Sequence, residues 1–332
     1  MREATMIGVD LAKNVFHLHG VNNSGKAVFK KRLSRGNFKA FLASAPRCLI
    51  VMEACSSAHY WGRLAISLGH RAQLISPQHV KPFVKTNKND ANDAEAICEA
   101  AVRPNMRFVS IKTPEQQDLQ TIHRVRSSCI KRRTALANEI RGHLAERGII
   151  FPRGINKLRQ ELPILWESQV LPLSLESRDL LSDLYAEILA LDERIDKYTC
   201  RLRNIANKDE DCLRLMTIPG IGVITATIIK AVAGDGKAFK NGRQFSAWLG
   251  LVPRQHSTGG KNRLLGISKR GDTYVRTQLI QGAHNLVRRA ASKWLGELKE
   301  RRGYNRACVA QANKTARIAW AVLAKKEVYR AE

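Results

Sequence analysis

The sequence predicts an α/β domain, then a helical middle and a mainly α-helical C-terminal domain. In the first 114 residues short apolar strands alternate with short helical segments, which is the pattern of an α/β domain. Residues 115–208 carry apolar side chains three and four positions apart, as long helices do. After residue 208, glycine-containing turns separate further helical segments. We therefore predict three domains, at 1–114, 115–208 and 209–332.

The order of elements in the first domain is informative. The predicted strands cover residues 5–9, 15–21, 27–33, 49–52 and 72–75, and the predicted helices cover 36–45, 59–68 and a last segment that begins near residue 90. Three strands, a helix, a strand, a helix, a strand and a final helix is the order of a ribonuclease-H-like domain.

Four carboxylates stand at corresponding places in these elements. Asp10 and Glu53 close the first and fourth strands, and Asp90 and Asp93 lie one turn apart in the stretch NKNDANDAEAI. The first and fourth strands are expected to be neighbours, so their carboxyl ends meet at one edge of the sheet. Four acids there can hold two metal ions about 3.5–4 Å apart, and Mg2+ suits such oxygen ligands. Taken singly, each acid also fits a structural role as a cap or as a turn residue.

The middle segment predicts two long helices. Apolar residues recur at helical spacing from Leu119 to Leu144 and again, as a coiled-coil seam, from Leu181 to Ile205. Prolines at 152, 163 and 172 are expected to break the chain between them into short pieces. The two helices can pair within one chain or between chains, and the pattern does not choose.

The stretch TIPGIG, residues 217–222, has the pattern of a helix-hairpin-helix turn. Gly220 and Gly222 allow a tight turn after Pro219, and the next helix then presents free amides to a phosphate. An ordinary packing joint between two helices uses the same glycines, so both interpretations stay open.

Residues 250–271 are predicted to form a glycine-rich loop that binds nucleic acid. Ser257 lies in this loop, where a hydroxyl flanked by cations can attack phosphorus. On these residues alone, a simple hydrogen bond from Ser257 to a phosphate is the commoner role. The predicted nucleic-acid contacts here are Arg254, Thr258, Gly259, Gly260, Lys261, Arg263, Lys269 and Arg270.

The charge balance predicts a polyanionic partner. The chain has 56 Lys and Arg against 29 Asp and Glu, a net charge of +27.

Seven cysteines without a CxxC pair argue for a reducing cytoplasm and against a disulfide frame or a zinc site. No apolar run is long enough for a membrane span, so we expect a cytoplasmic protein with no membrane partner.

Taken together, these motifs resemble those of the DEDD-type insertion-sequence transposases, the bridge-RNA-guided serine recombinases. The resemblance covers both ends and the middle of the chain, and rests on GVDLAK, MEACSSAHYW, NKNDANDAEA, PGIG and STGGK. It implies a RuvC-like domain that binds one or two Mg2+ ions through the four acids. It also implies a C-terminal transposase domain whose serine becomes joined to DNA, and a structured guide RNA that selects the sites. Composite sites built from different protomers would require a homo-oligomer, a dimer or tetramer.

The resemblance leaves two candidates for the nucleophile. The relatives with the spelling HSTGGK keep a serine at the position of Ser257, whereas others place it at the position of Thr258. We predict Ser257, with Thr258 as the alternative.

Two other functions remain as hypotheses. One is a hydrolytic, junction-resolving nuclease in which the acids cut with water and Ser257 only binds phosphate. The other is a non-enzymatic nucleic-acid-binding protein. A trapped protein–DNA adduct distinguishes the first, and the effect of Asp10→Asn on cleavage distinguishes the second.

Overall fold

A computed structural model describes residues 4–84, 90–167 and 173–330. The chain divides into two compact units, residues 1–114 and 115–332. Both ends of the helical middle segment join the second unit, where Leu119 and Leu202 share a core with the C-terminal helices. A separate domain at 115–208 therefore stays a prediction.

The first unit is a mixed six-stranded sheet with helices. The strands are β1 (Met6–Leu11), β2 (Val15–Val21), β3 (Ala27–Ser34), β4 (Leu49–Glu53), β5 (Arg71–Ile75) and β6 (Phe108–Val109). The helices are α1 (Arg35–Ser44), α2 (Ala58–Ser67), α3 (Pro77–Val80) and α4 (Asp90–Ala101), with a 3-10 turn at Lys81–Phe83. The strand order is β3-β2-β1-β4-β5-β6, and β1, β4 and β5 are parallel. The predicted neighbours β1 and β4 are thus confirmed, while α3 and β6 were not predicted.

Alternation along the strands divides the side chains between two cores. On one face α1 and α2 cover the sheet, with Phe16, Phe38 and Trp61 in edge-on or tilted ring contacts. On the other face α4 covers it, and Ile97 packs among Val51 and Ile75. The sheet is therefore buried on both sides, which explains the continuous apolar runs of its central strands.

In its described residues the second unit is helical apart from one hairpin. Its helices are α5 (Pro114–Ala145), α6 (Ile155–Glu167), α7 (Leu175–Ala206), α8 (Glu210–Met216), α9 (Val223–Ala233), α10 (Gly242–Trp248), α11 (Thr273–Arg288), α12 (Lys293–Arg302) and α13 (Tyr304–Lys325). The strands β7 (Pro253–Thr258) and β8 (Lys261–Ile267) form the hairpin. Within the described ranges, no helix combines the length and the apolar character that crossing a membrane requires.

The long helices α5 and α7 pair antiparallel within one chain. Arg126 Nε donates to Thr199 Oγ1 at 2.7 Å, and further along α5 Arg133 Nη1 donates to Asp192 Oδ1 at 2.6 Å. A residue with a higher number on α5 thus contacts a residue with a lower number on α7, which shows that the two helices are antiparallel. These contacts answer the question of pairing that the sequence left open. Most of the predicted seam faces inward, but Ile205 is 36% exposed, and a full coiled coil stays a prediction.

Pro163 does not break the helix as predicted, since α6 continues through it. A proline removes the amide that would bond to the carbonyl four residues earlier. That carbonyl belongs to Arg159, and the Tyr185 hydroxyl of α7 donates to it at 3.4 Å. Packing against α7 thus compensates for the lost bond.

The predicted loop at 250–271 is wrong in its central part, which forms the β7–β8 hairpin. Gly259 and Gly260 have φ of +55° and +74° and make a two-residue turn with the positive φ values of type I′. At the base of the hairpin, the Ser268 amide donates to Val252 O at 2.8 Å. The Gly-Gly pair is itself a signal for a two-residue hairpin turn in the sequence.

Candidate active site and nucleic-acid interface

Asp10 and Glu53 occupy matching positions on two neighbouring parallel strands. Gly8 pairs with Val51 and Val9 with Met52, so Asp10 and Glu53 are the next two positions in the same register. Adjacent strands lie about 4.8 Å apart. Gly8 and Val51 face α4. Asp10 and Glu53 lie two residues further along the same two strands, so both acids also project toward α4. Both are half-buried.

Gly8 lets α4 lie directly on β1. A Cβ at Gly8 would come within 2.5 Å of the Ala94 carbonyl oxygen and within 2.7 Å of Cys98 Sγ. Further along α4, Glu99 lines a cleft of about 230 Å3 together with Met6, at the start of β1. The helix therefore runs opposite to β1, with its first turn toward the carboxyl end of the strand.

That direction brings Asp93 to the edge that holds Asp10 and Glu53. Asp93 is half-buried and directly precedes Ala94, the residue that lies over Gly8. Asp90 begins α4, but its side chain lies outside the described part of the structure. Among the side chains that are described, no three of the His, Cys, Asp and Glu type lie close enough to hold a metal ion.

The turn at Thr217–Gly222 joins α8 to α9 and packs against α11. Gly220 has a φ of +85°, and a Cβ at Gly282 of α11 would come within 2.1 Å of its carbonyl oxygen. This close approach supports the packing interpretation for Gly220. Pro219 and Gly222 are exposed, and Gly222 directly precedes α9 without a side chain that caps the first amides of the helix. That end of the turn retains the features of a phosphate contact.

A buried histidine ties the same region together. His123 of α5 is 1% exposed and hydrogen-bonds through Nε2 to Thr227 Oγ1 at 3.0 Å and through Nδ1 to the Tyr274 hydroxyl at 3.2 Å. Burial, aided by the positive charge of Arg126, lowers the pKa of His123 to about 4. The imidazole is therefore neutral at physiological pH, and it links α5 to α9 and α11.

The Ser257 hydroxyl is held between two amide side chains on one face of the hairpin. Ser257 Oγ donates to Asn262 Oδ1 at 2.8 Å and accepts from Gln255 Nε2 at 2.8 Å. Gln255 Nε2 also donates to Asn262 Oδ1 at 3.1 Å, which closes the triangle. The sequence analysis missed Gln255 and Asn262, although the two-residue turn and the alternation of strand residues together place them beside Ser257.

The opposite face of the hairpin carries the cations, which corrects the expectation that they flank Ser257. Thr258 pairs with Lys261 and His256 pairs with Arg263, and strand alternation turns these four residues away from Ser257. Thr258, the alternative nucleophile, is thus the hydroxyl on the cationic face. All of the loop residues predicted to contact nucleic acid are exposed: Arg254, Thr258, Gly259, Gly260, Lys261, Arg263, Lys269 and Arg270.

Two family models match the chain, and both describe transposases. A DEDD transposase model of the IS110 type matches residues 7–149, which include Asp10, Glu53, Asp90 and Asp93. The model described as transposase IS116/IS110/IS902 family matches residues 212–299, which include the turn at 217–222 and the hairpin.

Curated relatives match over nearly the whole chain. The transposase for insertion sequence element IS1111A of Coxiella burnetii is 48% identical, over 99% of this chain and 92% of its own length. A probable family 20 transposase of Pseudomonas aeruginosa is 49% identical, over 98% of both chains. The transposase for IS1328 of Yersinia enterocolitica is 42% identical over 99% of both chains. With the DEDD sheet at one end and the hairpin unit at the other, the chain belongs to the IS116/IS110/IS902 family of insertion-sequence transposases.

Proposed function

We propose that this transposase cuts and rejoins DNA at the ends of its insertion element through a covalent phosphoserine at Ser257. The observation that carries the proposal is the Ser257 hydroxyl, held by Asn262 and Gln255 on an exposed hairpin. A hydroxyl that donates to a fixed acceptor keeps one lone pair directed outward, and a bound phosphodiester would meet it in a single orientation.

The proposed step exchanges one phosphoester for another. Ser257 Oγ forms a bond to phosphorus as the bond from phosphorus to a deoxyribose oxygen breaks. The serine loses its proton and the departing deoxyribose oxygen gains one. Because the phosphoserine retains the ester, a hydroxyl of a second DNA strand can displace the serine and complete strand transfer without an added energy source.

The acids at the carboxyl edge of β1 and β4 are proposed to bind Mg2+. Asp10, Glu53 and Asp93 would supply carboxylate oxygens of the kind that this ion prefers, and Asp90 would complete the set. The first three share this edge but do not by themselves lie close enough together to hold the ion. Bound there, the ion would stabilise the negative charge that develops on the phosphate oxygens. The register of Asp10 with Glu53 and the direction of α4 support this assignment, as does the ribonuclease-H-like, RuvC-like order of elements.

The nucleic-acid contacts are proposed to come from two places in the second unit. The cationic face of the hairpin, with Lys261 and Arg263, would bind the phosphate backbone, and the turn at Pro219–Gly222 would position it as a helix-hairpin-helix does. A structured guide RNA and a homo-oligomer complete the proposal as partners. The resemblance to bridge-RNA-guided recombinases supports both partners, and the net charge of +27 supports the RNA, which is a polyanion.

An adduct assay tests the nucleophile. The purified protein is mixed with DNA carrying the element's ends, flanking RNA and Mg2+, denatured, and examined for a protein–DNA band. We expect a band that Ser257→Ala abolishes and Thr258→Val retains. Loss with Thr258→Val alone would move the nucleophile to the cationic face. Cut DNA without any adduct would instead support the hydrolytic nuclease, in which the acids act with water.

A second assay tests the acids. Asp10→Asn removes the negative charge but keeps the shape, so we expect DNA cleavage to be lost while DNA and RNA binding are kept. Undiminished cleavage by this variant would leave the acids without a catalytic role.

A further inference from the structure

We infer that a cleft between α10, α12 and α13 binds an unpaired nucleotide, with Trp294 as the surface on which the base stacks. The cleft has a volume of about 800 Å3, which lies within the range of about 300–1,000 Å3 that small-ligand sites occupy. None of the described residues that line it belongs to the hairpin or to the turn at 217–222. Its principal lining residues are Arg243, Trp294, Asn313, Lys314, Arg317 and Trp320.

Trp294 has the exposure of a stacking surface. Its side chain is 41% exposed, although it belongs to the helix whose next residue, Leu295, is buried at 1%. The other tryptophan of the cleft, Trp320, is fixed in place because its Nε1 donates to Gly236 O at 3.0 Å and to Phe239 O at 3.2 Å. An exposed ring and a fixed ring thus line the same cleft, where a planar group can bind.

The charge of the cleft selects an anionic ligand. Every charged residue among those that line it is a cation: Arg243, Lys314 and Arg317. Lys314 Nζ lies over one face of the Trp294 ring, 5.1 Å from its centre, so a base would stack on the opposite face with the cation close to its phosphate. In the described parts of the chain none of the three cations forms an ion pair, and their charge therefore remains uncompensated for a phosphate.

A backbone contact gives the cleft a rigid floor. A Cβ at Gly242, the first residue of α10, would come within 2.8 Å of the Arg317 carbonyl oxygen and 2.9 Å of its Cα. The start of α10 therefore lies directly on α13. A planar ring, uncompensated cations and a firm floor are the features that proteins use to hold single-stranded nucleic acid.

Binding to short oligonucleotides tests the inference independently of strand transfer. The full chain is titrated at fixed salt with a fluorescent oligothymidine, its RNA counterpart oligouridine, and a blunt duplex of unrelated sequence. Trp294→Leu removes the aromatic face but keeps an apolar side chain, and we expect it to weaken single-strand binding about fivefold or more. Trp294→Phe should stay within about twofold of the wild type, and duplex binding should be unchanged in both variants.

A photocrosslink locates the base. Oligonucleotides with 5-iodouracil are irradiated on the wild type, and we expect the crosslinked peptide to contain Trp294. Lys314→Gln should lower the slope of log K against log salt by about 0.7, the value of one single-strand phosphate contact. The matched control is Arg301→Gln, an exposed cation of α12 outside the lining of the cleft, which should leave the crosslink in place.

Several outcomes decide the matter. Binding of DNA alone or RNA alone supports the cleft and identifies the strand that occupies it. Equal loss of single-strand and duplex binding with Trp294→Leu, wild-type affinity in that variant, or a crosslink outside α10, α12 and α13 would each overturn the inference.

Discussion

Ser257 Oγ donates a hydrogen bond to Asn262 Oδ1 across the β7–β8 pair at 2.8 Å, and the two residues are direct partners in the hairpin register. The bond orients the serine proton toward Asn262 and leaves the outer lone pairs of Oγ for Gln255 and for a ligand. The orientation of the candidate nucleophile therefore depends on a residue five positions later in the chain.

Replacing Asn262 by alanine should slow adduct formation about 10- to 100-fold, because the serine hydroxyl loses its fixed orientation. The dissociation constant for DNA should change less than about twofold, since Asn262 carries no charge. Single-turnover rates at saturating DNA, combined with a binding titration, separate the two effects. Asn262→Asp retains an acceptor oxygen and should recover part of the rate.

His256→Ala is the control for this prediction, because His256 lies on the opposite face of the same strand. We expect it to leave the rate of adduct formation at saturating DNA close to that of the wild type. A loss of rate as large as that of Asn262→Ala would show that both faces contribute to the chemistry.

Replacing Gly8 by alanine should lift α4 from the sheet. The new Cβ would lie 2.5 Å from a backbone oxygen of α4, which no rotation of a side chain can relieve. We expect a loss of about 1–3 kcal/mol in the free energy of unfolding, together with reduced Mg2+-dependent cleavage as Asp93 moves away from Asp10. Denaturant unfolding and a cleavage titration with Mg2+ measure the two effects.

The matched control is Gly36→Ala in α1, where a Cβ has no neighbour within 4 Å. This substitution should leave cleavage unchanged. If Gly8→Ala proved as stable and as active as Gly36→Ala, α4 would not lie on β1 as described.

Replacing Gly282 by alanine should separate α11 from the turn at Thr217–Gly222. A Cβ at Gly282 would meet the Gly220 carbonyl oxygen at 2.1 Å, and we expect a loss of about 1–3 kcal/mol in stability. Gly142 of α5 has open space around its Cβ position, so Gly142→Ala should instead stabilise by up to about 1 kcal/mol. A loss of stability in Gly282→Ala together with a gain in Gly142→Ala, both measured by denaturant unfolding, would support the packing role of Gly220. Changes of the same sign in the two variants would count against it.

The free energy of unfolding should fall at acidic pH because the folded protein keeps His123 unprotonated. Its pKa is lowered to about 4 in the folded protein, so between that value and about 6.5 the unfolded chain binds the extra proton. The contribution of His123 to the free energy of unfolding is therefore fully present above about pH 6.5 and declines as the pH falls toward 4. At pH 5 the protein has lost about 2 kcal/mol of this contribution. Unfolding free energies measured at about pH 7.5 and about pH 5 give the difference.

His123→Gln keeps hydrogen-bonding capacity toward Thr227 and Tyr274 but cannot titrate in this range. The loss between the two pH values should therefore be about 2 kcal/mol smaller in the variant than in the wild type. Identical pH dependence in both proteins would mean that other groups cause the decline.

The sequence by itself determined the order of the elements of the first unit other than α3 and β6, and the positions of Asp10 and Glu53 within that order. Strand and helix periodicity are local properties, so the strands at β1 and β4 and the acids at their ends, Asp10 and Glu53, could be found without a structure. The net charge predicted the class of partner for the same reason, because charge is a sum over residues. Family motifs then identified the region of Ser257, though not the atoms around it.

Only the tertiary structure decided what depends on contacts between distant residues. The direction of α4 across β1 follows from the packing at Gly8, and the continuity of α6 through Pro163 depends on the Tyr185 hydroxyl of a different helix. Strand pairing across the Gly-Gly turn sets Ser257 beside Asn262 and turns Thr258 toward the cations. Local propensity cannot supply such results, because register and packing are fixed by side chains that meet only after the chain has folded.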